Sequence, residues 1–94
     1  MAAPEYIAAT MGDNPGEIDL SCHRVARAKA YIAESREHSD TAAPGPWHQA
    51  KLSGRNSMTI TSPTSGQRYA FRLRTLGPHH LESPWSVEVI CMSP

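Results

Sequence analysis

Five histidines, two cysteines and a small set of arginines and tryptophans carry the side-chain chemistry of this 94-residue chain. His79-His80, taken with His48, His38 or His23, is a candidate set of metal ligands. A zinc site needs a third converging ligand and outer partners that fix each imidazole, and adjacent histidines on extended backbone point apart. No metal site is expected; the reading is loop histidines. Cys22 and Cys91 form no Cys-x-x-Cys pair, which excludes a zinc ribbon and a thioredoxin-type redox motif. A disulfide between them and two separate thiols, one of them a small core hydrophobe, both stay open here, because geometry decides. Gly-x-Ser-x-Gly, a Walker loop and His-Glu-x-x-His are all missing from the sequence. No catalytic residue and no cofactor is expected, and the chain is not read as an enzyme.

The elements that must position these groups follow from composition and period. Nine Lys plus Arg balance nine Asp plus Glu, for a formal net charge of zero. That balance argues against nucleic acid or anionic lipid as a partner held mainly by bulk charge attraction. The length suits one small domain over residues 1–94, with an ordered core over about residues 4–92 and no room for a second core. No apolar run approaches the roughly 18 to 20 residues that cross a bilayer. Met1-Ala2-Ala3-Pro4-Glu5-Tyr6 has no basic patch followed by an apolar stretch, so no signal peptide is expected; the compartment stays unknown.

Glu17 to Cys22 alternates polar and apolar, the period of a half-buried strand, with Ile18, Leu20 and Cys22 on one face. Gly12 to Gly16 is dense turn chemistry, and Tyr6 to Met11 reads as a short strand ahead of it. Ala28 to Arg36 mixes helix propensity with alternation and is assigned as strand. Trp47 to Leu52, Ser57 to Thr61, Tyr69 to Thr75 and Val87 to Ile90 complete the series. Loops fall at Ser39 to Pro46, Ser53 to Asn56, Ser62 to Gly66 and Gly77 to Pro84. About seven short strands with regular turn signals predict an all-β, immunoglobulin-like antiparallel sandwich. Its core is expected from Ile18, Leu20, Cys22, Tyr31, Ile60, Tyr69, Phe71 and Leu73. A sandwich of this size is filled by its own side chains and leaves no deep pocket.

Three stretches together resemble fibronectin type III domains: Gly16 to Ser21, Gly66 to Thr75 with its Gly-x-x-Tyr-x-Phe-Arg-Leu-Arg run, and Ser83-Pro84-Trp85-Ser86. Ala30 to Ser35 sits where the third strand of those domains belongs, and Gly45-Pro46-Trp47 where the next begins. Gly-Pro-Trp, Ser-Pro-Trp-Ser and the ending Cys91 to Pro94 further resemble small, largely uncharacterised bacterial proteins that carry one such domain at the C-terminus. The resemblance implies a C-terminal piece, or a shortened relative, of a larger bacterial protein. Two departures stand out. Cys22 takes the place of the usual core tryptophan, so Met58 or Tyr31 must fill the space or the core is looser. Pro63 takes the place of the usual leucine before the turn, while a Tyr69 hydroxyl bond to that turn remains feasible.

Arg72 and Arg74 face away from Tyr69, Phe71 and Leu73. In domains of this kind a tryptophan such as Trp85 stacks on such arginines, and an extension of the stack by Trp47 from the adjacent strand is feasible. Each guanidinium-on-indole contact contributes roughly 0.5 to 2 kcal/mol. Trp47, Arg72, Arg74 and Trp85 are therefore the candidate interaction surface, read first as a self-satisfied ladder that stiffens one sheet. The resemblance implies a non-catalytic spacer or docking module with an unknown protein partner. The alternative is carbohydrate binding through exposed Trp47 and Trp85. Weak self-association through an edge strand is a further expectation.

Overall fold

The computed structural model describes residues 2–39, 41, 43 and 45–94. Among the described residues there are seven strands: β1 (Ala8–Met11), β2 (Ile18–Ser21), β3 (Ala30–Glu37), β4 (His48–Ser53), β5 (Ser57–Ile60), β6 (Arg68–Leu76) and β7 (Val89–Met92). A single 3-10 turn covers Pro78–His80. One sheet has the order β1-β2-β5 and the other β4-β3-β6-β7, and every pairing is antiparallel. The sequence-based expectation of a two-sheet, all-β sandwich is met. Among the described residues, no helix is long and apolar enough to cross a membrane.

Strand alternation builds the core. Ile18 and Leu20 of β2, Tyr31 and Ala33 of β3, Met58 and Ile60 of β5, and Phe71 and Leu73 of β6 are all buried between the sheets, with Cys22 just past β2. Met58 and Tyr31 share this cluster with Cys22, as expected where a thiol replaces an indole. Tyr69 corrects the expected core list. It is only half-buried, packed at the margin of the cluster, because its hydroxyl reaches the turn before β6. Ala70 departs in the other direction. It lies on the arginine face, yet it is buried because its cross-strand partners Arg36 and Ile90 carry longer side chains over it.

Strand boundaries also differ from the expected ones, by a single residue at one or both ends in β2, β5 and β6 and as follows in the others. β1 starts at Ala8, since Tyr6 has φ 56° and leaves the extended region. β3 starts at Ala30 because Arg27 has φ 69° and the Ala28 N–H closes a turn onto the Val25 carbonyl at 3.1 Å. β4 runs one residue later than Trp47 to Leu52. β7 covers Val89–Met92 rather than Val87 to Ile90, in register with Phe71 through Val89. The loop read over Ser39 to Pro46 lies partly outside the described residues.

Neither cysteine is in a disulfide, so the two-thiol reading holds. Burial pushes both thiols above their ordinary pKa, because a thiolate there would lose hydration. β5 is an outer strand, and its Thr59 carbonyl accepts a bond from Lys51 Nζ at 3.1 Å. A lysine on an open edge is a common block to strand addition.

Candidate functional site

Cross-strand register places the candidate surface. Ile32 pairs with Arg74, Glu34 with Arg72 and Arg36 with Ala70. Residues opposite one another share a sheet face, so Glu34, Arg36, Arg72 and Arg74 all project outward. Trp47 enters from the segment before β4, and Trp85 from the segment between β6 and β7. The result is a ladder in the order Arg36, Trp47, Arg72, Trp85, Arg74. Guanidinium carbons lie 4.3 Å from the Trp47 centroid for both Arg36 and Arg72. Those of Arg72 and Arg74 lie 4.2 and 4.6 Å from Trp85.

Each rung that carries a guanidinium also has a carboxylate. Arg72 donates from Nε at 2.9 Å and from Nη2 at 2.5 Å to the same Glu34 oxygen. Arg36 pairs with Glu88 at 2.9 Å and Arg74 with Glu82 at 3.4 Å. The structure thus brings together all four predicted residues and adds Arg36. Trp47 and Trp85 are half-buried rather than exposed, because the arginine stems and heads lie over them. Arg36 is not identifiable from local pattern, because its proximity to Trp47 depends on where the β3–β4 connection returns.

Ser83-Pro84-Trp85-Ser86 has a specific structural job. The Thr75 N–H donates to Ser83 Oγ at 2.8 Å, and the Ser83 N–H donates to the Thr75 carbonyl at 3.0 Å. Leu73 and Ser86 repeat the arrangement at 2.9 and 2.8 Å. A proline here cannot donate to a ladder, so two serine hydroxyls complete the edge of β6 where a regular strand would not. This clamp also sets Trp85 between Arg72 and Arg74. Ser83→Ala strands the buried Thr75 N–H and is expected to lower stability by about 1–2 kcal/mol. Urea unfolding followed by circular dichroism measures it; an unchanged midpoint contradicts the clamp.

At the opposite end of β6, the Thr64 N–H donates to the Tyr69 hydroxyl at 2.8 Å, spanning the turn at Gly66 (φ 82°). Pro63, which stands in the place of the usual leucine before this turn, is buried. The fold as a whole superposes on solved structures. A Fn3-like protein from Clostridium thermocellum superposes with a TM-score of 0.77 at 18% identity, over 99% of this chain and 96% of that one. The FN5 domain of Drosophila Lar gives 0.77 at 14% identity, over 99% and 96%. The chain has the fibronectin type III fold. The twitchin kinase region from C. elegans contains a similar unit, with a TM-score of 0.80 at 19% identity over 99% of this chain and 17% of that one. No protein-family model matches the chain, and no curated protein matches it in sequence.

The histidines do not converge in this fibronectin type III sandwich. Among the described residues, no group of three or more His, Cys, Asp or Glu side chains is arranged to hold a metal ion. His79 and His80 lie in the 3-10 turn, not on extended backbone, with φ of 58° and 61°. His23 instead stacks on Tyr6, with ring centroids 4.2 Å apart.

Proposed function

We propose that residues 1–94 act as one domain, a non-catalytic structural or protein-interaction module that spaces or docks other parts of a larger bacterial protein. One observation carries the reading: the aromatic and basic face is already occupied by itself. Three carboxylates, three guanidinium groups and two indoles engage one another across β3, β6 and the segment from Glu82 to Glu88, with Arg74 Nε alone among the ladder's buried side-chain polar atoms left without a hydrogen-bond partner. A face so engaged stiffens a sheet, which suits a spacer. It offers a sugar ring little free indole, which weighs against the carbohydrate reading through Trp47 and Trp85. The similar unit in twitchin fills 17% of a longer chain, which supports a modular role.

The test is a selection of random displayed peptides on the immobilised domain, each winner mapped by 15N chemical shifts. Peptides that saturate one continuous surface are the expected result. Failure to enrich any peptide, with a glycan panel shifting the indole N–H signals of Trp47 and Trp85, would overturn the reading in favour of carbohydrate binding.

A further inference from the structure

The two ends of the sandwich differ in charge and in backbone strain. At one end, four segments are tied together by backbone bonds: His23 N–H to the Glu5 carbonyl, Cys22 N–H to the Asn56 carbonyl and Lys29 N–H to the Leu76 carbonyl, at 3.0, 3.0 and 2.7 Å. Asn56 Nδ2 adds a bond to the Cys22 carbonyl at 2.8 Å. Between the β2–β3 loop and the β4–β5 turn lies an open cleft of about 570 Å3. Arg24, Arg27 and Arg55 line it, with Asn56 and the rim of Tyr31.

These three arginines are exposed, and no carboxylate among the described residues pairs with them. The contrast with the ladder is sharp, since Arg36, Arg72 and Arg74 each hold a glutamate. Strain follows the same division. Among the described residues, the non-glycine positions with left-handed φ are Tyr6, Arg27, His79 and His80, and all four lie at this end. The opposite end meets the same requirement with Gly16 and Gly66. Strained non-glycine backbone persists only where the surrounding structure holds it, and it clusters at ligand-binding sites. Tyr6 is also 71% exposed, set upright beside the β2–β3 loop by its stack on His23.

We propose that this end is a docking site for an acidic polypeptide segment, whose carboxylates enter the cleft between Arg24, Arg27 and Arg55. The proposal rests on the protein-docking reading above and names the chemistry of its partner. Planar guanidinium forks match carboxylates in paired hydrogen bonds. An exposed tyrosine beside arginines is the composition of protein-binding patches. Glu5 lies with Arg24, Val25 and Ala26 in the adjoining depression, so a long uniform polyanion leaving the cleft on that side meets like charge.

Titration of the 15N-labelled chain with an acetylated hexaglutamate peptide, at low salt to limit screening, tests it. Saturable shifts confined to Arg24–Ala28 and Gly54–Ser57 are expected, with at least tenfold weaker binding after joint Arg24→Gln, Arg27→Gln and Arg55→Gln substitution. Arg27→Gly separates binding from folding: glycine accepts the left-handed backbone, so the thermal midpoint is held or raised while affinity falls. Absent or non-saturating shifts, shifts elsewhere, or unchanged affinity in Arg27→Gly would overturn the site. Tighter binding of a sulfated hexasaccharide at the same arginines would overturn the polypeptide assignment. Displayed peptides that bind away from the cleft, or bind it regardless of charge, sink this inference and leave the docking reading standing.

Discussion

Phe71→Ala is expected to remove about 3–5 kcal/mol of stability. Phe71 is the sole phenylalanine of the chain and is fully buried at the middle of β6. It lies between Ser35 of β3 and Val89 of β7 in register, with the Tyr69 ring centroid 6.2 Å away. Truncation loses the transfer free energy of a phenyl group and leaves a void that paired strands on both sides cannot close. A domain of this size has a total stability of roughly 5–15 kcal/mol, so the loss is a large share of it. The margin is narrower here because Cys22, not an indole, closes the neighbouring part of the core. Phe71→Leu, which keeps most of the volume, is expected to cost no more than about 1.5 kcal/mol. Urea titrations of both variants by far-ultraviolet circular dichroism give the two numbers. A loss below about 1 kcal/mol for the alanine variant would mean that β6 does not form the centre of the core.

Arg72→Ala is the second large effect, at about 2–3 kcal/mol. Arg72 is the rung shared by both indoles and the partner of Glu34. Its removal ends two cation–π contacts and leaves a half-buried carboxylate without its cation. Because both partners retain about a quarter of their exposure, 24% and 21%, the loss stays below that of a fully buried pair. Arg72→Lys discriminates the contributions. It keeps the charge beside Glu34 but not the flat group that stacks on Trp47 and Trp85, so about half of the loss remains. Tryptophan fluorescence should move to longer wavelength in both variants as the rings become wetter. A lysine variant as stable as the parent would show that stacking contributes nothing.

Much of the fold was legible because its signals are local. The alternation in Glu17 to Cys22 and Tyr69 to Thr75 reports which face of a strand is buried, and the register of β2 with β5 and of β6 with β3 bears it out. Turn chemistry at Gly12 to Gly16 and at Gly66 marked the ends of those strands. Boundaries at Tyr6 and Arg27 were not legible, since no residue-type preference announces a left-handed tyrosine or arginine. The shift of the last strand to Val89–Met92 follows from two serine hydroxyls that replace ladder bonds. That substitution is written in residue types but realised only against β6.

The candidate site divides in the same way. Trp47, Arg72, Arg74 and Trp85 were identifiable from the face pattern of one strand and a short motif. Their half-burial and the addition of Arg36 needed the return path of the β3–β4 loop. Period-two patterning and turn residues are properties of neighbouring positions, so the linear chain settles the sandwich class and the inward face of β2, β5 and β6. Which arginines find glutamates, and which meet unpaired at one end, depends on loop closure between residues 24, 27 and 55 and on strand register, contacts made between positions far apart along the chain. Net charge, a sum over all positions, carries no record of that segregation.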